Sequence, residues 1–144
     1  MHTTVDLEWR ILGTVELDGK GSLRFPAMPI EPGIYRFAVS GPELSAVYIG
    51  ETDNLKRRMQ HYRTPGPTQV TNRRLKNELG RVLRTDGRVE VSVATDARLV
   101  VDGHKALANM RHKAYRVLVE HAALVSAIEL TSDKVINLTK ESGP

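Results

Sequence analysis

Apolar and polar residues alternate along the first third of the chain, and this two-residue period is typical of half-buried β-strands. It predicts strands over residues 5–12, 14–25, 33–39 and 46–50. A turn dipeptide at Asp18-Gly19 indicates an extra N-terminal β-hairpin in the first two, and Gly41-Pro42 joins the last two into a second hairpin. If odd positions of the second hairpin pair with even ones, Tyr35 and Tyr48 point to the same face of the sheet.

Apolar residues at three- and four-residue spacing predict helices in the rest of the chain. The expected helices cover residues 52–62, 68–83 and 109–130, with Thr52 or Asp53 as the N-cap of the first. Alternating valines predict a strand at 89–93, and short apolar runs at 99–101 and 135–136 are further strand candidates. This order of elements predicts an α+β fold in a single domain of residues 1–144, with a small, mainly antiparallel β-sheet flanked by helices.

Composition and charge narrow the class of protein. A hydrophobic content of 40% and a charged content of 26% are ordinary for a soluble domain, and no apolar stretch is long enough to span a bilayer. Cysteine is absent, so disulfides and thiolate zinc sites are excluded. We therefore expect a cytoplasmic protein with no membrane partner.

The net charge of +4 is unevenly distributed. Residues 54–88 contain ten Lys or Arg against two acidic residues, which makes this segment +8 and the remainder −4. Such a concentration of positive charge favours a polyanion partner. A set of solvated helix faces is the alternative interpretation.

Arg58 lies at the edge of the apolar stripe of the first helix, whereas Arg57 and His61 fall on the opposite side. The stripe consists of Leu55, Met59 and Tyr62. A guanidinium beside a packed face needs an anionic partner, which is a carboxylate or a bound phosphate, unless it extends past the core into water. The wheel position leaves these alternatives open.

Glu120 stands in a stretch of the last helix, residues 117–128, that is apolar or small except for Glu120 itself and His121. A helix that is apolar almost all round is expected to be buried, and an unpaired carboxylate there costs several kcal/mol. Glu120 is therefore expected to hold a metal ion or to pair with a cation such as Arg58. His121 is expected at the core or its boundary rather than as a ligand.

Two tripeptides, Gly-Ile-Tyr at 33–35 and Tyr-Ile-Gly at 48–50, are followed in order by Arg58, Glu120 and Asn137. This order resembles the GIY-YIG nuclease family, and Tyr62 matches a position where members carry Tyr or His. The spacing of residues 54–58 is most similar to the excision-repair branch. The resemblance covers about residues 32–138 and implies a stand-alone GIY-YIG catalytic core there, with residues 1–31 as an N-terminal strand extension.

The resemblance implies a metal-dependent endonuclease that hydrolyses DNA phosphodiester bonds. It implies that Glu120 binds Mg²⁺ (or Mn²⁺), that Tyr35 orients or deprotonates the attacking water, and that Arg58 stabilises transition-state charge. Hydrogen bonds and positioning are the roles it implies for three further residues, Tyr48, Tyr62 and Asn137. Glu51, after the second tripeptide, departs from the pattern because many members carry Lys or another non-acidic residue there, and a segment around 96–112 is additional.

Basic residues outside this set are expected to contact nucleic acid. They are Arg57, His61, Arg63, Arg73, Arg74, Lys76 and Arg81. Duplex or branched DNA is the expected partner, because an aromatic content of 5% does not favour extensive base stacking. RNA is an alternative substrate that the sequence does not exclude. Because one site cuts one strand, double-strand cleavage requires a homodimer, sequential nicks or a partner protein. A catalytically inactive nucleic-acid-binding module is the alternative function, and a structural or protein-interaction domain is a second.

Overall fold

A computed structural model describes residues 1–139 of the chain, and within them strands and helices follow one another as an α+β fold, as the sequence predicts. The strands are β1 (Thr3–Leu7), β2 (Arg10–Thr14), β3 (Glu16–Leu17), β4 (Leu23–Arg24), β5 (Gly33–Ser40), β6 (Ser45–Thr52), β7 (Arg88–Ala94), β8 (Ala97–Val101), β9 (His104–Leu107) and β10 (Lys134–Asn137). The helices are α1 (Leu55–Arg63), α2 (Val70–Arg84) and α3 (Lys113–Leu130). None of these helices is long and apolar enough to cross a membrane.

The main sheet has the strand order β10-β6-β5-β7-β2. Its pairs are antiparallel except for β10, which runs parallel to β6. Alternation along the central hairpin sends Tyr35 and Phe37 to one face, where α1 and α2 cover them, and Ile34 and Ile49 to the other face, where α3 covers them. The sheet therefore separates two apolar clusters, and residues of α1 and α3 approach it from opposite sides.

The N-terminal strands pair differently from a simple extra hairpin. Only β3 and β4 form one, around a turn in which Asp18 Oδ1 accepts hydrogen bonds from the amides of Lys20 and Ser22. Strand β1 joins β8 and β9 in a second sheet, and β2 becomes the edge strand of the main sheet. Within β2 the register against β7 shifts between Ile11 and Gly13, and the φ of Gly13 is +148°, a conformation that favours glycine. Local patterning predicts the strands but not these distant partners.

The helix boundaries differ from the predicted ones for local reasons. Asn54, rather than Thr52 or Asp53, is the N-cap of α1, because its side-chain oxygen accepts the amide hydrogen of Arg57 at 3.0 Å. Helix α3 begins at residue 113 rather than 109, since the amide of Ala108 is bonded to the carbonyl of Ala97 and extends the β8–β9 pairing. Strand β9 itself was not expected from the sequence.

Helix α3 corrects the expectation of a helix buried all round. Its buried residues lie on one side and include Val119, Glu120 and Ala123. On the opposite side Leu118 is 41% exposed and Val125 and Ile128 are each 59% exposed. A uniformly apolar stretch does not reveal which side meets the sheet, and the single sheet covers only one side.

Candidate functional site

The register of the central hairpin brings the two tripeptides side by side. Tyr35 pairs with Gly50, and Phe37 pairs with Tyr48. Paired residues of an antiparallel sheet point to the same face, so Tyr35 and Tyr48 share the face that α1 and α2 cover. Both tyrosines are buried. This is the arrangement expected if odd positions pair with even ones.

Gly50 makes room for the ring of Tyr35, which crosses directly over it. A Cβ atom at position 50 would stand 2.4 Å from the Tyr35 hydroxyl oxygen and 2.5 Å from Cζ. Real carbon atoms do not approach so closely, and the obstacle is a ring that is fully buried. The glycine of the second tripeptide is therefore required by the tyrosine of the first.

Gly50→Ala is expected to lower the free energy of unfolding by about 1–3 kcal/mol, because the new methyl group must displace the Tyr35 ring from a packed core. Urea denaturation followed by circular dichroism measures the change. Gly19→Ala is the matched control, since nothing lies within 4 Å of a Cβ atom there. Equal urea midpoints for the two variants would contradict the steric argument.

Arg58 joins two buried tyrosines in a compact polar cluster. The hydroxyl oxygens of Tyr35 and Tyr62 are 2.7 Å apart, and Arg58 Nε donates a hydrogen bond to the Tyr35 oxygen at 3.1 Å. The guanidinium carbon lies 4.7 Å from the centre of the Tyr62 ring, within the range of a cation–π contact. Arg58 itself is half-buried. Helix α1 thus fixes a cation at the edge of the core, over the two phenol groups.

The protonation states of this cluster follow from burial. Burial raises the pKa of Tyr35, the Arg58 charge and the hydrogen bonds oppose that rise, and the Glu120 carboxylate adds to it. Burial and Tyr35 raise the pKa of Tyr62 well above the usual value. Burial lowers the pKa of Arg58, but the two tyrosines more than offset this and the net shift is upward. At neutral pH the phenols are therefore protonated and the guanidinium is charged.

Glu120 forms the second half of the site on the buried side of α3. Its residue exposure is 1%, and the Asn137 amide nitrogen donates to Oε1 at 3.3 Å. His121 Nε2 lies 3.7 Å from the same oxygen, with 62% of the histidine side chain exposed, so His121 is at the surface rather than in the core or at its boundary. The other oxygen, Oε2, is buried and accepts no hydrogen bond from residues 1–139.

The Glu120 carboxylate has less positive charge around it than a buried anion needs. Burial raises its pKa and so does Glu51, while the Thr139 hydroxyl, the Asn137 amide and His121 lower it; the net shift is upward. A buried carboxylate oxygen without a donor fits a hard divalent cation such as Mg²⁺, which binds through one or two carboxylates and retains water. Residues 1–139 contain no cluster of three or more His, Cys, Asp or Glu suited to a metal, so any ion here would rely on water and phosphate oxygens.

Neighbouring residue pairs of the main sheet connect the two halves of the site, because Tyr35 pairs with Gly50 and Asn137 pairs with Ile49. Asn137 pairs with Ile49 as the last residue of β10, and beyond that point the amide of Glu51 donates instead to Thr139 Oγ1 at 2.9 Å. Tyr35 lies on the α1 face at this level, and Glu51 lies on the α3 face. Among the contributions to the Tyr35 pKa, the upward one from Glu120 is the smallest.

The basic residues predicted to contact nucleic acid fall into two groups. Arg57 is ion-paired with Asp53, and Arg63 is ion-paired with Asp18 at 3.2 Å. His61 is half-buried in α1.

The second group is on α2. Arg73, Arg74 and Arg81 are exposed and Lys76 is partly exposed, and none of these four has an ion pair within the part of the chain that the structure describes. At 100° per residue the three arginines span about 100° of the helix surface. They form an unneutralised basic face, defined here as the α2 basic face.

Sequence reasoning missed a buried ion pair beside Glu120. Arg116 Nε lies 2.6 Å from Glu51 Oε2, and both side chains are under a tenth exposed. Thr139 was not singled out either. Spacing offers a signal for Arg116, since it precedes Glu120 by four residues and so falls on the same helix face. Nothing in the sequence links it to Glu51, 65 positions away.

A solved structure with a similar fold is that of a mutant of bacteriophage T4 EndoII. The TM-score is 0.57 at 19% sequence identity, over 82% of this chain and 86% of that chain. No protein-family model matches the chain, and no curated protein sequence matches it significantly. At this identity the likeness establishes the fold alone.

Proposed function

We propose that this protein is a metal-dependent endonuclease of the GIY-YIG type that hydrolyses phosphodiester bonds in DNA. Two observations carry the proposal: Arg58 is hydrogen-bonded into a buried tyrosine pair, and the buried Glu120 carboxylate has an oxygen that accepts no hydrogen bond from the described residues. The sheet register links the two, because Tyr35 pairs with Gly50 next to the pair of Ile49 with Asn137. The fold likeness to EndoII, whose name marks an endonuclease, supports it. The α2 basic face supports a polyanionic substrate.

Arg58 would stabilise the negative charge that develops on the scissile phosphate. The guanidinium stays charged and carries five donors in a fixed plane, and the hydrogen bond to Tyr35 and the ring of Tyr62 set its orientation. A donor group held in place before the reaction needs no reorganisation as charge builds up, which is the main source of its catalytic value.

Tyr35 would orient the attacking water rather than remove its proton. Because the phenol is protonated at neutral pH, it would act on the water as a hydrogen-bonding group rather than as a base, in the field of the Arg58 cation. Tyr62 fixes the Tyr35 hydroxyl from the far side at 2.7 Å. Tyr48 extends the same buried face and would support the position of the Tyr35 ring.

Glu120 would hold the divalent ion, Mg²⁺ or Mn²⁺, and Asn137 would orient the carboxylate through its hydrogen bond to Oε1. When bound, such an ion supplies positive charge to the scissile phosphate and to the leaving oxygen. Because Asn137 is the last residue of β10, its hydrogen bond ties the Glu120 carboxylate of α3 to the end of that strand.

Nicking of supercoiled plasmid DNA tests the proposal directly. The protein is expected to nick in Mg²⁺ and not in EDTA, and Tyr35→Phe is expected to lower the rate by about 10²-fold with DNA affinity unchanged. Tyr115→Phe, a change of an exposed tyrosine on α3, is the matched control. DNA binding without metal-dependent nicking would instead identify the inactive binding module, and full activity of Tyr35→Phe would remove that residue from the mechanism.

The α2 basic face is expected to bind DNA through backbone phosphates. Arg73→Ala combined with Arg81→Ala should weaken binding and reduce the slope of log affinity against log salt by about 2, because each lost phosphate contact removes nearly one released counterion. Fluorescence anisotropy between 50 and 200 mM salt measures this slope. Arg24→Ala, which removes a residue already paired with Glu16, is the control. An unchanged slope in the double variant would show that DNA binds elsewhere.

A further inference from the structure

The buried ion pair between Glu51 and Arg116 joins the end of β6 to the start of α3. Besides the 2.6 Å contact to Glu51, Arg116 Nη1 donates to the carbonyl oxygens of Met110 and Arg111, each at 3.0 Å. The arginine is therefore held by three acceptors at the N-terminal end of its helix. A buried guanidinium of this kind persists only where its donors are satisfied.

The position of Arg116 relative to Glu120 makes this arrangement significant. The two residues are four apart on α3 and both belong to its buried side. At that spacing an arginine and a carboxylate are close enough to pair. Nevertheless, Arg116 Nε is directed to Glu51, while Glu120 Oε2 accepts no hydrogen bond from the described residues. Two adjacent opposite charges are thus kept apart by a third group.

We propose that Glu51 is a positioning residue that holds Arg116 and so leaves the Glu120 carboxylate available to a divalent cation. The inference rests on the proposed function, in which Glu120 is the metal ligand. Without the Glu51 charge, Arg116 would turn to Glu120, neutralise it and occupy its oxygens. The backbone amide of Glu51 also donates a hydrogen bond to Thr139 Oγ1, and the Thr139 hydroxyl in turn lowers the pKa of Glu120.

A purely structural role for the ion pair makes a different prediction. If the pair only connects β6 to α3, removing either partner lowers stability, and metal affinity follows the loss of folded protein. If Glu51 restrains Arg116, metal affinity depends on which partner is removed. Removing Glu51 releases a competing cation, whereas removing Arg116 as well eliminates the competitor.

The experiment measures Mn²⁺ binding to the full chain without DNA, from the electron paramagnetic resonance signal of free Mn²⁺. Glu51→Gln preserves the shape of the side chain and is expected to raise the dissociation constant about tenfold, the range seen when residues that orient metal ligands are changed. The double variant Glu51→Gln with Arg116→Met is expected to return to within about threefold of the wild type. A crystal structure of Glu51→Gln is expected to show the Arg116 guanidinium on the Glu120 carboxylate.

Arg116→Met alone covers the case in which Glu51→Gln fails to fold, and it should not weaken Mn²⁺ binding. Three results would each overturn the inference while leaving the nuclease proposal intact. Glu51→Gln could bind Mn²⁺ with wild-type affinity, the double variant could bind it as weakly as Glu51→Gln does, or Arg116→Met could bind it more weakly than the wild type. A structure in which Arg116 stays on the Met110 and Arg111 carbonyls would also overturn it. If Glu120→Gln leaves wild-type Mn²⁺ binding unchanged, the metal role of Glu120 fails and this inference fails with it.

Discussion

Replacing Glu120 with glutamine is expected to reduce plasmid nicking by at least about 10³-fold, because the ion it would hold contributes several kcal/mol of transition-state stabilisation. The same change is expected to make the folded protein more stable at pH 7.5 without metal. Glutamine keeps the acceptor for Asn137 but removes a buried charge that the described residues compensate only in part. Loss of activity together with a gain in stability separates a functional carboxylate from a structural one.

The sign of the stability effect follows from the raised pKa of Glu120. The folded state binds the carboxyl proton more tightly than the unfolded state, whose carboxyl titrates near the ordinary value of 4.5. Wild-type stability therefore falls as pH rises from about 4.5 through the folded pKa, and it stays lower above that range. The advantage of Glu120→Gln should be present at pH 7.5 and absent at about pH 4, where the carboxyl is mostly protonated in both states.

Thermal melts at these two pH values in EDTA measure the difference, and Mg²⁺ should raise the melting temperature of the wild type but not of the variant. Glu129→Gln, a change of an exposed carboxylate on the same helix, is the control and should alter neither stability nor nicking. A less stable Glu120→Gln protein at pH 7.5 would show that the carboxylate is retained by a partner within the fold rather than for a cation.

Arg58→Ala is expected to reduce nicking by about 10²–10³-fold, the cost of removing a fixed donor that stabilises transition-state charge. Arg57→Ala, one position earlier, should stay within about threefold of the wild type, because Arg57 is exposed and paired with Asp53. Nicking rates at saturating DNA make the comparison independent of affinity. Arg58→Lys should not restore the rate, since an ammonium lacks the Nε donor that reaches Tyr35. A larger loss in Arg57→Ala than in Arg58→Ala would contradict the assignment.

The sequence predicts the parts of this structure that depend on local periodicity. The wheel of α1 correctly separates half-buried Arg58 from exposed Arg57, a result that depends only on the repeat of a helix. Strand alternation puts Tyr35 and Tyr48 on one face only if odd positions pair with even ones, and the structure supplies that register. The contacts of Arg58 with Tyr35 and Tyr62 were not predicted, since the wheel position left its partner open among a carboxylate, a phosphate and water.

Features that depend on pairing between distant segments could not be predicted from the sequence. The pairing of β1 with β8 joins residues that are at least ninety positions apart, and no local pattern encodes that choice. Uniform apolarity predicted full burial of α3, although only one side of it meets the sheet. The contact of Glu51 with Arg116 likewise depends on how α3 docks against β6, so the departure at position 51 had no interpretation from sequence.

The crossing of the Tyr35 ring over Gly50 ties two positions of the chain to one another through space. Any side chain at position 50 would displace the Tyr35 ring. If Tyr35 were lost, this contact would no longer require glycine at position 50. Natural variation at the two sites should therefore be correlated rather than independent. A related protein that no longer used Tyr35 should therefore have substitutions at both position 35 and position 50.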